Sequence, residues 1–369
     1  MMPSVLEVRP GEAEGAARIS LERSLNSAVT GAMTMESPVL NVVDLTTEFT
    51  TRRGRVCAVD NVSFSVSRGE VLGIVGESGS GKSMTGFSVM GLVDRPGRVV
   101  GGRVELRDQD GGMIDIRGLD ERAMRHIRGN RIAMIFQDPM MTLNPVLRIE
   151  TQMVETILAH EPVSREVARQ RSLAVLTRVG IPAPEQRMRL YPHQFSGGMR
   201  QRVVIAIALL NRPDVIIADE ATTALDVTIQ GQILFEMQKI CRELGTALIW
   251  ITHDLSVVAG LADNVSVMYA GKIVESGTTQ QILAFPRHPY TRGLIASTPS
   301  ANTRGIPLKQ IPGVAPALID LPQGCAFQAR CEYKTAACEV QPSLTVGTHA
   351  HQTSVRCFHP WIKEEGSTA

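Results

Sequence analysis

Apolar positions change their period several times along the chain, and each change predicts an element. Val39 to Leu45 and Cys57 to Val66 carry the β-branched, roughly alternating pattern of antiparallel strands, with Thr50 to Gly54 as a basic turn between them. A continuous apolar run, Val71-Leu72-Gly73-Ile74-Val75, feeds a glycine-rich stretch, after which Met84 to Leu92 reads as helix. Val99 to Leu106 and Met113 to Ile116 predict two more strands, split by the turn RDQDGG. Asp120 to Ile127 predicts a short helix, and Arg131 to Phe136 a buried strand ending at Gln137-Asp138-Pro139. From Arg148 to Leu190 the pattern is helical with few strand signals, as in a helical subdomain inserted over about 140–200. The run VVIAIALL that follows is apolar on every side, as an interior helix is. Val215 to Ala218 and Ala247 to Ile251 are continuous apolar strands of the kind buried on both faces of a parallel sheet, with a helix, Ile229 to Leu244, between them. Val265 to Tyr269 and Lys272 to Val274 finish the sheet, and the whole predicts an α/β fold.

The patterning weakens at both ends. Residues 1–37 are mixed in charge and read as a flexible leader, despite helical spacing over Arg18 to Val29; Met33 and Met35 are alternative start positions just before the first strand. From Pro286 prolines recur, aliphatic periodicity fades and four of the six cysteines appear, predicting a separate C-terminal appendage over 286–369 beside a main domain over 38–285. With 43% hydrophobic and 20% charged residues the composition is that of an ordinary globular protein, and a net charge of +1 leaves no electrostatic footprint for nucleic acid. No run of eighteen apolar residues is present, and the opening MMPSVLEVRPGEAEG lacks the basic start and apolar core of a secretory signal. The expectation is a cytosolic protein whose cysteines are mostly reduced.

The glycine-rich stretch is Gly76-Glu77-Ser78-Gly79-Ser80-Gly81-Lys82-Ser83, a G-x-x-x-x-G-K-[ST] sequence between a strand and a helix. Glycines let backbone N–H groups close around a β-phosphate, and the helix N-terminus adds unpaired donors and a positive dipole end. Lys82 supplies a point charge to the β- and γ-phosphates, and Ser83 a hydroxyl to Mg²⁺. Asp219 closes an apolar strand, where a carboxylate holds Mg²⁺ through water, and Glu220 beside it can polarise an attacking water as general base. A solvated strand end is the plainer account of that pair; the phosphate loop earlier in the chain favours the chemical one. Ser196 can N-cap the all-apolar helix while Gly197 and Gly198 bare its donors for an anion, although alone this is an ordinary cap. His253 and Gln137, each just past a strand, mean little singly.

Taken in order, these sites resemble the ATP-binding-cassette ATPases over roughly residues 39–297. GESGSGKS at 76–83 is similar to Walker A, and Gln137 to the Q-loop residue. FSGGM at 195–199 resembles the signature usually written LSGGQ, VIIADE at 215–220 resembles Walker B plus the catalytic glutamate, Ala224-Leu225-Asp226 the D-loop and His253 the switch histidine. The resemblance implies an ABC-type P-loop ATPase with an antiparallel β subdomain, a RecA-like core, an inserted helical subdomain and a Cys-containing C-terminal appendage. It further implies ATP and Mg²⁺ as cofactors, and a head-to-tail dimer holding each ATP between Walker A of one subunit and the signature of the other. Ser196 and Gly198 then meet the partner subunit's γ-phosphate, His253 the γ-phosphate of its own subunit, and Gln137 approaches Mg²⁺ and couples the site to a membrane partner. Two positions depart from the family pattern: Met199 replaces the signature glutamine, and Ala221 stands where proline usually fixes φ. Phe49 is the candidate to stack on adenine, with a core strand residue as the equal alternative.

The tail narrows the branch. Arg287-His288-Pro289-Tyr290-Thr291-Arg292-Gly293-Leu294 resembles the HPYT segment of oligopeptide and dipeptide importer ATPases, and Pro312-Gly313, Gly324-Cys325-Ala326-Phe327 and Ala329-Arg330-Cys331 resemble that branch's tail. Cys325, Cys331, Cys338 and Cys357 are spaced C-x5-C-x6-C-x18-C, which leaves both a metal site and inert thiols open, while the lack of a CxxC pair weighs against a zinc ribbon. The family's tails are associated with an iron–sulfur cluster, so the resemblance implies a [4Fe–4S] group on these four. Cys57 and Cys241 read as core residues. The implied protein is the ATPase subunit of a short-peptide importer, peripheral on the cytoplasmic side of the inner membrane. Its implied partners are two transmembrane permease subunits, a second ABC ATPase (itself or a paralogue) and, indirectly, a periplasmic solute-binding protein. Nickel, opine or glycan-linked peptide importers remain open, because the ATPase does not touch the solute. A soluble cassette protein of translation or DNA repair is disfavoured by the single cassette, the lack of a long coiled coil and the charge of +1.

Overall fold

The computed structural model describes residues 37–222, 226–298, 302, 309–346 and 353–361. The expected leader, short of its last residue, and Ala224-Leu225 of the D-loop lie outside the described residues. Leu40–Thr51 (β1) and Gly54–Val66 (β2) alternate in burial and pair antiparallel across a turn at Arg52-Arg53, with Thr51 opposite Gly54 and Leu40 opposite Val66. Val71–Val75 (β3) is buried throughout and runs into the glycine loop and Lys82–Met90 (α1). Gly97–Arg107 (β4) and Met113–Asp115 (β5) complete a four-stranded antiparallel sheet ordered β2-β1-β4-β5. Glu121–Ile127 (α2), N-capped by Asp120, leads to the buried strand Ile132–Ile135 (β6).

The helical insertion comprises Pro139–Thr142 (α3), Ile149–Leu158 (α4), Arg165–Arg178 (α5) and Pro184–Met188 (α6). In α4, Ile149, Met153 and Ile157 recur one turn apart and are fully buried. The all-apolar run becomes Gly197–Leu209 (α7), an interior helix, followed by Val215–Asp219 (β7) and Val227–Leu244 (α8). Ala247–Thr252 (β8), Leu255–Leu261 (α9), Asn264–Tyr269 (β9), Lys272–Thr278 (β10), Thr279–Ala284 (α10) and Pro289–Ala296 (α11) follow, then two short tail strands, Thr345–Val346 (β11) and Ser354–Val355 (β12). The main sheet is eight-stranded, ordered β11-β12-β10-β9-β3-β8-β7-β6, with β9, β3, β8, β7 and β6 mutually parallel.

Strand alternation gives this sheet two cores. Ile74, Ile217 and Ile249 face the antiparallel sheet and α1. Val75, Ile216 and Leu248, one position away, face the helical side with Val204 and Ile233. Each fully buried aliphatic of this kind contributes about 1.5–3 kcal/mol. The tail differs from the separate appendage expected of it. The described residues from Pro38 onward fall in one compact unit. In it β12 pairs with β10, placing Val355 opposite Glu275, and Tyr290 and Phe327 belong to the main core. The composition shift marks a change of chain style, from periodic elements to a proline-rich strap, and not a change of body. Among the described residues no helix is long and apolar enough to cross a membrane. The C-terminal ends of β3, β6, β7 and β8 open on the same edge, where ligands enter parallel sheets.

Candidate active site

The phosphate loop is glycine-rich because its backbone leaves no room for side chains. A Cβ on Gly81, at φ +100°, would lie 2.4 Å from the Ala58 carbonyl oxygen, and one on Gly76 2.2 Å from that of Met268. Gly81 is the N-cap of α1 and supplies no side-chain acceptor, so the first-turn N–H groups stay available to an anion. Lys82 is buried and folds back over the loop, its Nζ donating to the Gly76 carbonyl at 2.8 Å and the Glu77 carbonyl at 2.9 Å. Burial holds its ammonium below the ordinary lysine range, against the opposing pull of Glu220, Asp219 and Glu77. Ser80 Oγ is buried without a hydrogen-bond partner, which costs about 1–3 kcal/mol unless a ligand meets it. That orphaned hydroxyl inside an anion cradle fits a bound phosphate chain.

Adjacent parallel strands deliver the carboxylates. Ser83 Oγ donates to Asp219 Oδ1 at 2.9 Å, and burial raises the Asp219 carboxyl above its ordinary range. A buried carboxylate and hydroxyl side by side suit a divalent cation, whose charge offsets that desolvation. Glu220 sits one residue past β7 at φ +45°, a left-handed backbone that non-glycine residues rarely adopt. The bend aims its carboxylate at two neighbours. Oε2 accepts from Gln137 Nε2 at 3.0 Å, and Oε1 lies 3.0 Å from His253 Nδ1. Gln137 follows β6 and His253 follows β8, so the strands flanking β7 hold the ends of Glu220. Gln137, expected near the cation, contacts Glu220, and Ser83 and Asp219 pair with each other.

The glycine pair opens a different helix, with different packing partners. Ser196 N-caps α7, its Oγ accepting from Met199 N at 3.3 Å, and Gly197 and Gly198 open the first turn. α7 packs against β6, α3, α4 and α5, whereas α1 packs against β1, β2, β7 and β8. Asp226 N-caps α8 through Ile229 N at 3.0 Å, and a Cβ on Gly198 would come within 3.0 Å of Ile229 Cγ2, so the starts of α7 and α8 touch. Phe49 is half-buried on β1. Its ring lies over Gly97, whose added Cβ would sit 2.6 Å from Phe49 Cε1, and it does not line the cavity beside the phosphate loop.

The tail contacts this site in ways the sequence reading missed. Arg330 donates to both Glu77 carboxylate oxygens, at 2.6 and 3.0 Å, and through Nε to the Pro312 carbonyl at 2.8 Å. Its side chain is 6% exposed, and its guanidinium stands 5.9 Å from the rings of Tyr269 and Phe327. The pair with Glu77 holds the guanidinium further above its already high range. Glu77 N–H donates to the Tyr290 hydroxyl at 2.8 Å. The HPYT segment thereby acquires a physical account. Buried Glu275 accepts the N–H groups of Arg287 and His288, His288 Nδ1 accepts from Tyr290 N at 3.0 Å, and Pro289 opens α11. Full burial pushes His288 down to about 3, so the imidazole is neutral and can accept. Tyr290 was legible as part of a motif, but nothing local marked its reach to the phosphate loop.

Cys325, Cys331, Cys338 and Cys357 line one small cavity with His288 and His359, and all six cysteines are free thiols. Burial and the neighbouring thiols push Cys357 up to about 11. Among the described residues no group of three or more His, Cys, Asp or Glu could hold a metal ion. Cys57 is half-buried and Cys241 buried, and burial pushes the latter thiol up to about 12.

Carboxylates ranged at parallel strand ends against a glycine phosphate cradle define the class, a phosphate-loop nucleoside triphosphatase. Comparison with known proteins narrows it. Residues 59–223 match the ABC transporter family, and residues 274–338 match the oligopeptide/dipeptide transporter C-terminal region. The dipeptide transport ATP-binding protein DppD of Bacillus subtilis is 47% identical over 329 residues, 89% of this chain and 95% of its own. The oligopeptide transport ATP-binding protein OppD of Escherichia coli is 46% identical over 322 residues, 87% of this chain and 93% of its own. A dimeric ATP-binding cassette solved in a post-hydrolysis state with ADP and Pi superposes with a TM-score of 0.57 at 27% identity, covering 65% of this chain and 98% of that one. The chain belongs to the ABC transporter ATPases, in the branch that carries the oligopeptide/dipeptide transporter C-terminal region.

Proposed function

We propose that this protein is the ATP-hydrolysing subunit of a transporter that imports short peptides, acting at the cytoplasmic face of the inner membrane. The observation that carries the reading is the convergence of Gln137 and His253 on Glu220, beside the Ser83–Asp219 pair. Glu220 is the general base, polarising a water for in-line attack, and His253 orients it and meets the developing charge on the γ-phosphate. Lys82 and the loop N–H groups hold the β- and γ-phosphates. Ser83 and Asp219 hold Mg²⁺, which when bound neutralises charge on the phosphate oxygens. Gln137 stands at the root of the helical insertion, so a change at the hydrolysis site reaches α3–α6 through one hydrogen bond. The names of the relatives support peptide as cargo.

The uncovered first turn of α7 is anion-ready, and the helix packs against other elements than the phosphate-loop helix does, which supports a second cassette, itself or a paralogue, as the dimer partner. ATP then favours the closed pair because only there does it touch both subunits. Two transmembrane permeases receive the motion of the helical insertions, and a periplasmic solute-binding protein delivers the cargo to them. The test is an ATP-trapped pull-down with Glu220→Gln from detergent-solubilised membranes. Recovery of two multi-span permeases is the expected outcome; recovery of ribosomes or repair proteins without a permease overturns the transport reading.

For the tail we propose a [4Fe–4S] cluster on Cys325, Cys331, Cys338 and Cys357. All four line one cavity with no disulfide among them. Among the described residues no group of three or more His, Cys, Asp or Glu could hold a metal ion, so the proposal rests on the shared cavity and the spacing of the four thiols. The cluster would tie the tail's turns together. Anaerobically purified protein is expected to be brown, with iron and acid-labile sulfide in equal amounts; colourless, iron-free protein contradicts the assignment.

A further inference from the structure

We infer that the tail segment Ala315–Asp320 is the base-side wall of the nucleotide pocket, latched to the β1–β2 turn by Arg53 and Asp320. The inference rests on the ATP-binding reading above. A cavity of about 700 Å³ opens directly from phosphate-loop residues Glu77–Ser80, well within the range of small-ligand sites. A triphosphate seated in the loop sends its nucleoside out on the side that has room, and this is that side. The cavity has two opposed walls. One is the β1–β2 turn, with Arg52, Arg53 and Val56; the other is tail residues Ala315–Ile319.

The chemistry of these walls matches a purine. Ala315, Pro316, Ala317 and Leu318 present a low apolar surface, and the facing guanidinium groups can stack on a π-face. Among the described residues no phenylalanine or tryptophan lines the cavity. Tyr269 does line it, yet is 2% exposed and already packed at 4.6 Å against Tyr290 and 5.3 Å against Phe327. The base is therefore flanked by an apolar strap on one side and arginines on the other. The strap is fixed at both ends. Asp320 lies 3.3 Å from Arg53 Nη2. Upstream, the Pro312 carbonyl accepts from the same Arg330 that grips Glu77. The Arg53–Asp320 pair is solvent-exposed and so weak, as a latch that must open for exchange should be. The nucleotide pocket is thus incomplete without the tail, 230 and more residues beyond the phosphate loop.

Isothermal titration of full-length protein with Mg–ATP and with inorganic tripolyphosphate tests this. Ala315→Ile/Ala317→Ile, at half-buried and exposed positions that tolerate larger side chains, is expected to weaken ATP about tenfold and leave tripolyphosphate unchanged. Asp320→Ala is expected to weaken ATP about threefold, again without effect on tripolyphosphate. Wild-type affinity for ATP in both variants overturns the inference, and so does an equal loss for both probes, which would place the strap's action on the phosphate loop. Failure of the unsubstituted protein to bind Mg–ATP would instead overturn the ATPase reading beneath it.

Discussion

Glu220→Gln is expected to slow ATP hydrolysis by about 10²–10⁴-fold while Mg–ATP affinity stays within about twofold. The substitution keeps the shape of the side chain and its reach. A glutamine carbonyl can still accept from Gln137 Nε2, which lies 3.0 Å from the present carboxylate, and an amide N–H can donate to His253 Nδ1, also at 3.0 Å. The backbone at φ +45° continues to aim it. What is lost is the proton acceptor and its charge, while the groups that hold phosphates and cation stay, so binding and chemistry separate. Lys82, Ser83 and Asp219 are untouched, and they carry the phosphates and cation. Single-turnover hydrolysis with parallel nucleotide titration checks the split, and size-exclusion chromatography with ATP should show a lasting dimer. Hydrolysis near the unsubstituted rate would move the base to another residue; loss of binding would mean Glu220 belongs to the cradle.

Much of the architecture is legible in the sequence because its signals are local. Val215–Asp219 and Ala247–Thr252 are apolar at every position, and a strand with that pattern has to be covered on both faces. The phosphate loop is legible because its residue types stand at a recognisable G-x-x-x-x-G-K-[ST] spacing, although the atoms that crowd Gly76 and Gly81 belong to Met268 and Ala58, far along the chain. What escaped reading is long-range. Arg330 and Glu77 are 253 residues apart, and an arginine in a proline-rich tail looks like any solvated charge. Phe49 was undecidable because a β-strand phenylalanine has the same pattern whether it faces a ligand or, as here, Gly97. Neither the left-handed turn of Glu220 nor the choice of Gln137 to meet it has a marker in composition. Both follow from how three strand ends are spaced in the finished sheet.

Arg330→Met is expected to raise the KM for ATP about 30–100-fold with a much smaller change in kcat. Breaking a buried ion pair by removing one partner costs about 3–5 kcal/mol, and the 28% exposure of the Glu77 side chain reduces this to about 2–3 kcal/mol, since water can reach the stranded carboxylate. At about 1.4 kcal/mol per tenfold, that is the stated range. The loss falls on KM because Glu77 shapes the phosphate loop in ground and transition states alike, which is uniform binding. Arg330 is a positioning residue, acting through Glu77. Arg330→Lys should recover only part of the affinity, because an ammonium cannot span both carboxylate oxygens, now met at 2.6 and 3.0 Å. In the Arg330→Met background, Glu77→Gln should improve ATP binding by removing the unpaired charge, giving a coupling energy of about 2 kcal/mol in the double-mutant cycle. A merely structural arginine would lower the melting temperature, leave KM in place and give additive effects with Glu77→Gln. That result would detach the tail from the phosphate loop as a functional contact, whereas a coupled loss makes the loop's geometry a property of residues at both ends of the chain.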